Sequence, residues 1–258
     1  MSNIKELKNK PLVEAIFEIQ WALQKQAPGI LKDPHYKILV GRIYDKVNKD
    51  YPEHVQLPTA NMPDEISGYV VQHQFRKGKG QWPLIQVGPG IITLNSTHDY
   101  TWVDFEKRIC NLLNVLFETY PNSAENLKIN KLILRYIDAV NFDYENDNIF
   151  KFLKDKMKTG IDIHKALFKD TGVNGLPLNI DLRFTFPSTK PKGAVLLRFF
   201  RGTRAKENAL LWETQMQSIG AHAPDSKIKI ITWVKNSHML MDDWFFKIIE
   251  GDLLRRFE

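Results

Sequence analysis

An apolar segment near the N-terminus recurs in mid-chain, and this recurrence constrains the fold more than any other feature of the sequence. Residues 9–21 align without a gap on residues 130–142 at an offset of 121. Asn9/Asn130, Lys10/Lys131 and Ile16/Ile137 are identical, and most other positions pair apolar with apolar. Toward the end of each half, residues 98–118 align on 238–258 at an offset of 140. Just upstream, Ile91-Ile92-Thr93 matches Ile230-Ile231-Thr232. Any two amphipathic helices look alike at apolar positions, which accounts for Phe105/Phe245, Ile109/Ile249, Leu113/Leu253 and Phe117/Phe257. It does not account for His98/His238, Lys107/Lys247 or Glu118/Glu258. The pattern reads as an internal duplication, with a first half at residues 1–126 and a second at 127–258, packed into one domain.

Local periodicity gives each half the same order of elements. In the first, Val13, Ala15, Phe17, Ile19 and Trp21 alternate with Glu14, Glu18 and Gln20, a half-buried strand. Asp33-Pro34 opens a helix, whose stripe is Ile38, Val40, Ile43, Tyr44 and Val47. Residues 53–66 read as loop. A hairpin follows, with strands at 69–75 and 84–87, then a turn at Gly88-Pro89-Gly90 and a strand at 91–95. Trp102, Phe105, Ile109, Leu112, Leu113 and Leu116 trace one helix face, with Thr101 and Asp104 as its capping box.

The second half opens with a strand at 131–142. A helix capped by Asp147 and stopped by Gly160 comes next, then a loop at 160–176 with a short helix at 163–168. Leu178, Ile180, Leu182, Phe184 and Phe186 alternate with Asn179, Asp181, Arg183 and Thr185, the clearest strand in the chain. Val195 to Phe200 returns. Strands at 209–217 and 227–234 precede the final helix, giving this half one strand more than the first. Short hairpin connections exclude parallel crossovers. The expected fold is α+β: a duplicated β-α-β-β-β-α unit forming a curved, mostly antiparallel sheet, with helices on one face and a pseudo-twofold axis.

Composition narrows the class. Hydrophobic residues make up 43% and charged residues 26%, ordinary for a globular chain. The single cysteine, Cys110, excludes an internal disulfide. The N-terminus lacks an apolar signal core and no apolar run reaches ~20 residues, so the protein is read as cytoplasmic and off the membrane. The formal charge of +6 permits an acidic or nucleic-acid partner without requiring one.

Lys10-Pro11-Leu12-Val13-Glu14-Ala15-Ile16-Phe17-Glu18-Ile19 and Leu134-Arg135-Tyr136-Ile137-Asp138 together resemble the signatures of a sporadically distributed, uncharacterised bacterial protein family. The second signature commonly has Asn where Asp138 stands. The resemblance implies no established activity and carries no catalytic residue over. The family's patchy distribution implies a defence-associated or toxin–antitoxin-like setting.

Among residues that could carry chemistry, Asp138 stands out. In the repeat alignment it takes the place of Phe17 on the apolar strand face, where a carboxylate must be paired or shift its pKa upward. Asp138 and Arg135 are the candidate buried polar residues. The bland reading is a structural carboxylate satisfied by an arginine or backbone amides; the alternative is a site acid or ligand anchor. His98 and His238 precede the two covering helices symmetrically, but two histidines without a carboxylate set make no zinc site. Basic side chains gather at two hairpin tips, Arg76, Lys77 and Lys79 in one and Lys190 and Lys192 in the other. Arg198, Arg201, Arg204 and Lys206 follow, interleaved with Phe199 and Phe200. Basic groups neutralise phosphates and aromatics stack on bases, although lysine-rich tips also serve to block edge pairing. No nucleophile elbow, phosphate loop or metalloprotease helix is present, and no cofactor or metal is expected.

The sequence therefore points to a non-enzymatic protein that binds a macromolecular partner. One alternative is nucleic-acid binding through the basic tips. Another is a small-ligand or nucleotide sensor, or an enzyme, with a pocket near Asp138. Free strand edges are compatible with a homodimer.

Overall fold

Alternation of apolar and polar residues makes β1 (Leu12–Trp21) a two-faced strand, and its apolar face is the seed of the core. Ala15, Phe17, Ile19 and Trp21 are fully buried. The computed structural model describes residues 7–97 and 99–258. After β1 come a small ribbon, β2 (Gln24–Ala27) with β3 (Ile30–Lys32), and α1 (Tyr36–Val47). The chain continues through β4 (Glu53–Gln56), β5 (His73–Arg76), β6 (Leu84–Gly88), β7 (Ile91–Ser96), α2 (Trp102–Thr119) and α3 (Ser123–Asn126). The rest comprises β8 (Ile129–Asn141), α4 (Ile149–Met157), β9 (Asp181–Thr189), β10 (Lys192–Arg204), β11 (Glu207–Ile219), α5 (Lys227–Ile249) and α6 (Asp252–Phe257).

Nine strands form one sheet in the order β4-β5-β6-β7-β1-β8-β11-β10-β9, with every neighbouring pair antiparallel. The fold is thus α+β with a large antiparallel sheet. Helices α1, α2 and α5 cover the face carrying Phe17, Leu94, Leu134 and Met216. Helices α4, α5 and α6 cover Val140, Leu197, Phe199 and Trp212. The opposite face is a polar lattice: Gln86 Nε2 donates to Asn95 Oδ1 (3.2 Å), Asn95 Nδ2 to Glu14 Oε1 (2.7 Å), and Arg135 Nε to Gln215 Oε1 (2.8 Å). No helix of the described residues is long and apolar enough to cross a membrane.

Several local expectations are corrected. Residues 227–234 are the first turns of α5, not a strand. Lys227-Ile-Lys-Ile-Ile-Thr-Trp-Val reads with period two and is β-branched, but Ile230, Trp233, Val234, Ser237 and Met241 continue a helical stripe and are buried. The extra strand assigned to the second half is therefore absent. The first half instead gains β4 from a segment read as loop. The match of 91–93 with 230–232 pairs a strand with a helix. His238 lies in the middle of α5 rather than before a helix, and His98 lies outside the described residues. The cap of α4 is Asn148, which accepts from Lys151 N, rather than Asp147, and α4 ends before Lys158 in a left-handed conformation (φ 53°) instead of at Gly160. Strand β9 begins three residues after Leu178, and β5 is confined to its last residues. The Thr101 cap on Asp104 N is present at 3.3 Å.

A bulge re-aims the start of β1. Leu12 pairs with Asp138 and Glu14 with Ile137, leaving Val13 as an extra residue. Leu12 turns toward the helices, whereas Val13, expected inside, is 36% exposed.

Asp33 ties the first half together. Its carboxylate accepts from Trp21 Nε1 (2.9 Å), Gly90 N (3.1 Å) and His35 N (2.9 Å). Replacing it leaves buried donors unpaired, which costs about 1–3 kcal/mol for each group. Asp33→Ala is expected to lower unfolding free energy by roughly 2–4 kcal/mol in urea titration, with Asp33→Asn losing less because one oxygen remains.

Candidate ligand-binding cavity

The bulged start of β1, the middle of β8 and β11, and the facing ends of α2 and α5 enclose a cavity of about 500 Å³. That size falls in the range of small-molecule sites. Its floor is sheet: Leu12, Tyr136, Asp138 and Thr214. Its roof is Trp102 and Val103 from α2, with His238, Met241, Phe245 and Phe246 from α5. Leu7, Lys10 and Pro11 close one side. Thr101, Val103 and Asp242 are exposed and mark the mouth.

Asp138 faces this cavity at 3% exposure, beside Leu12 on one flank and Trp212 on the other. Alternation along β8 puts it on the helix-covered face, as expected. Neither of the expected partners, an arginine or backbone amides, forms a hydrogen bond with it among the described residues. Arg135 lies three residues away on the same strand and hence on the opposite face, half-buried, bound to Gln215 and to Glu213 (3.2 Å). The arginine that does influence Asp138 is Arg204, but its guanidinium donates to the carbonyls of Ala139 (3.1 Å) and Lys10 (3.2 Å). No hydrogen bond reaches the Asp138 carboxyl from the described residues. Desolvation therefore prevails over the attraction of Arg204 and pushes its pKa up to about 8.

Beside it runs a short polar relay. Tyr100 and Tyr136 share a hydrogen bond between their hydroxyls (3.0 Å), and Tyr136 Oη lies 3.0 Å from His238 Nδ1. Trp102 stacks on the His238 ring at 3.7 Å between centroids. The sequence reading missed this relay because its members come from a loop, a strand and a helix far apart in the chain. Burial lowers His238 to about 4, so it is neutral at pH 7. Burial also raises both tyrosines. Asp242 at the mouth is raised by desolvation and then by Asp243. The wall thus presents neutral hydrogen-bonding groups and aromatic rings around the buried Asp138, with Lys10 at one side and Asp242 at the mouth. Among the described residues, no cluster of three His, Cys, Asp or Glu has the proximity to hold a metal ion. Cys110 is half-buried on α2 with its thiol pushed up by desolvation and then by Glu106.

The basic residues singled out by sequence are not gathered together. The register carries Leu84 across to Asn95, Ile16, Arg135, Gln215 and Leu196. The tip after β5, with Arg76, Lys77 and Lys79, therefore leaves one end of the sheet. The turn at 190–191, beside Lys192, leaves the other. The two hairpins are also separated by five strand spacings, roughly 24 Å. Arg76 donates to Gln74 and lies over Trp82. Arg198 forms two hydrogen bonds of 2.7 Å with Asp181 and lies over Phe200, while Phe199 is fully buried. Arg201 donates to Leu178 O and Asn208 Oδ1 and lies over Tyr144. Lys206 occupies the β10–β11 turn at φ 72°.

No protein-family model matches this sequence, and no curated protein matches it.

The pKa of each cavity group fixes a pH signature. Asp138 binds a proton more tightly folded than unfolded, so its contribution is full below its unfolded value near 3.8 and lost as pH rises to about 8. His238 works in the opposite sense, its contribution being lost as pH falls from 6.5 toward 4. Asp138→Asn is expected to be more stable than the parent, with an advantage that widens by roughly 5 kcal/mol between pH 4 and pH 8 and levels off above that. Chemical denaturation across pH measures it; an advantage independent of pH contradicts the assignment.

Proposed function

We propose that this chain is a non-enzymatic binding protein whose ligand is a small molecule held in the cavity at Asp138. The observation that carries this reading is a carboxyl group 3% exposed, without a hydrogen-bond partner among the described residues, facing about 500 Å³ of space. A buried acid left unpaired costs stability, and a core with no ligand to hold has no reason to keep both it and the cavity. The lining supports the same reading, being mostly apolar and aromatic with a few converging polar groups. The basic residues support it indirectly: Arg198, Arg201 and Arg204 have internal partners, and the two basic tips leave opposite ends of the sheet instead of forming one patch.

The proposal extends to origin. Outward from the central pair β1–β8, the strands run β7, β6, β5 on one side and β11, β10, β9 on the other. That order is what a duplicated β-α-β-β-β-α unit with a pseudo-twofold axis would give, β4 being an addition to the first half. On this reading Asp138 stands where the first half has Phe17, a fully buried ring. Exchanging a large ring for a short acid vacates volume, and one half would then have kept the core while the other acquired the cavity.

A fragment screen by ligand-observed NMR tests the reading. Fragments of aromatic or apolar body should bind with dissociation constants below about 1 mM, the weak end of specific binding. Leu12→Trp, which places an indole in the opening, should abolish that binding while leaving the circular dichroism spectrum intact. Absence of any fragment that discriminates between the parent and Leu12→Trp overturns the proposal.

A further inference from the structure

The chemistry of the cavity wall restricts the ligand further. Each charged group around it has a different status. Lys10 donates its ammonium to the carbonyl of Tyr100 (3.1 Å), and Arg204 donates to two carbonyls behind the floor. Neither forms an ion pair with Asp138. His238, Tyr100 and Tyr136 are occupied with one another in a neutral chain. Two carboxyls are left, Asp138 at the floor and Asp242 at the mouth, with the rings of Trp102, Phe245 and Phe246 between them in the wall.

Resting on the reading of the cavity as a ligand site, we propose that its ligand is an organic amine, a protonated nitrogen carried on an apolar or aromatic body, with the ammonium group on Asp138. An ammonium supplies the counter-charge and the donors that Asp138 lacks. Aromatic faces attract the same cation, most strongly where water is excluded. An anionic ligand would meet Asp242 at the mouth and gain nothing from the aromatic faces, and a neutral one would leave Asp138 protonated and form no ion pair with it. Binding has a proton balance: the free cavity holds Asp138 protonated at neutral pH, the bound form holds it ionised against the ammonium, and one proton leaves to solvent. His238 titrates below this window and the two tyrosines above it, so Asp138 dominates the linkage, with Asp242 the other carboxyl of the wall among the described residues.

Tryptamine, tryptophol and indole-3-acetate share one ring and differ in charge, and calorimetry of the full chain with all three separates the possibilities. Tryptamine should bind at least tenfold more tightly than either analogue at pH 7. Its affinity should rise about tenfold per pH unit between pH 5 and pH 7, with release of close to one proton, measured by repeating the titration in buffers of different ionisation enthalpy. Asp138→Asn should remove the preference and the proton release while retaining weak binding of the indole body. Asp242→Asn should weaken tryptamine by a smaller factor. Equal or tighter binding of tryptophol or indole-3-acetate overturns the amine assignment and leaves the cavity reading intact. Tryptamine binding that is independent of pH, or unchanged in Asp138→Asn, overturns it as well. Failure of all three probes overturns it too, and the fragment screen then decides whether the cavity reading falls with it.

Discussion

The antiparallel pairing of β1 with β8 is the interaction on which the rest of the structure depends. These strands come from opposite halves of the chain, and their contact is the seam of the nine-stranded sheet. Pairing residues more than a hundred positions apart is entropically costly. The return is the apolar face formed by Ala15, Phe17 and Ile19 with Leu132, Leu134 and Tyr136, to which α1, α2 and α5 adhere. The bulge at Val13 sits at one end of the seam and directs Leu12 and Asp138 to the same side. The position of the cavity is thus a consequence of how the two strands meet.

Within that seam Asp138 is the buried carboxyl set among apolar neighbours. Pattern, packing and polar satisfaction agree at Asp33 with its three donors and at Trp233 Nε1, which donates to Ser218 Oγ at 2.8 Å, whereas Trp212 Nε1, directly across from Asp138, is buried without a partner. At Asp138 they disagree: the pattern buries it, the packing leaves space before it, and its nearest arginine is engaged with carbonyls. Such disagreements concentrate where binding has been favoured over stability. The neighbouring Tyr100–Tyr136–His238 chain is polar too, but satisfied, and it holds the two covering helices in register with the floor.

The positions of most strands were legible in the sequence. β1, β8 and β10 fall close to where the sequence puts them, but the strictly alternating run at 178–186 becomes β9 only from Asp181 and leaves Leu178, Phe184 and Phe186 exposed at the sheet edge. Residues 227–234 were misread because a β-branched run satisfies the strand pattern over eight residues, and the helical stripe emerges only across the length of α5. Burial of Asp138 was legible from its strand parity. The absence of a hydrogen-bonding arginine or backbone amide was not, since Arg204 approaches from a distant turn and is engaged with carbonyls. Tyr100, Trp102 and His238 carry no local signal that they converge. The dispersal of the basic tips to opposite ends followed from strand order, which composition does not encode.

Carbon-13 NMR titration of the Asp138 side-chain carboxyl in the folded, ligand-free protein tests the central claim most directly. Asp138 should stay protonated through neutral pH and titrate near pH 8. A midpoint near 4 would mean that Asp138 is solvated or ion-paired, and would contradict the account.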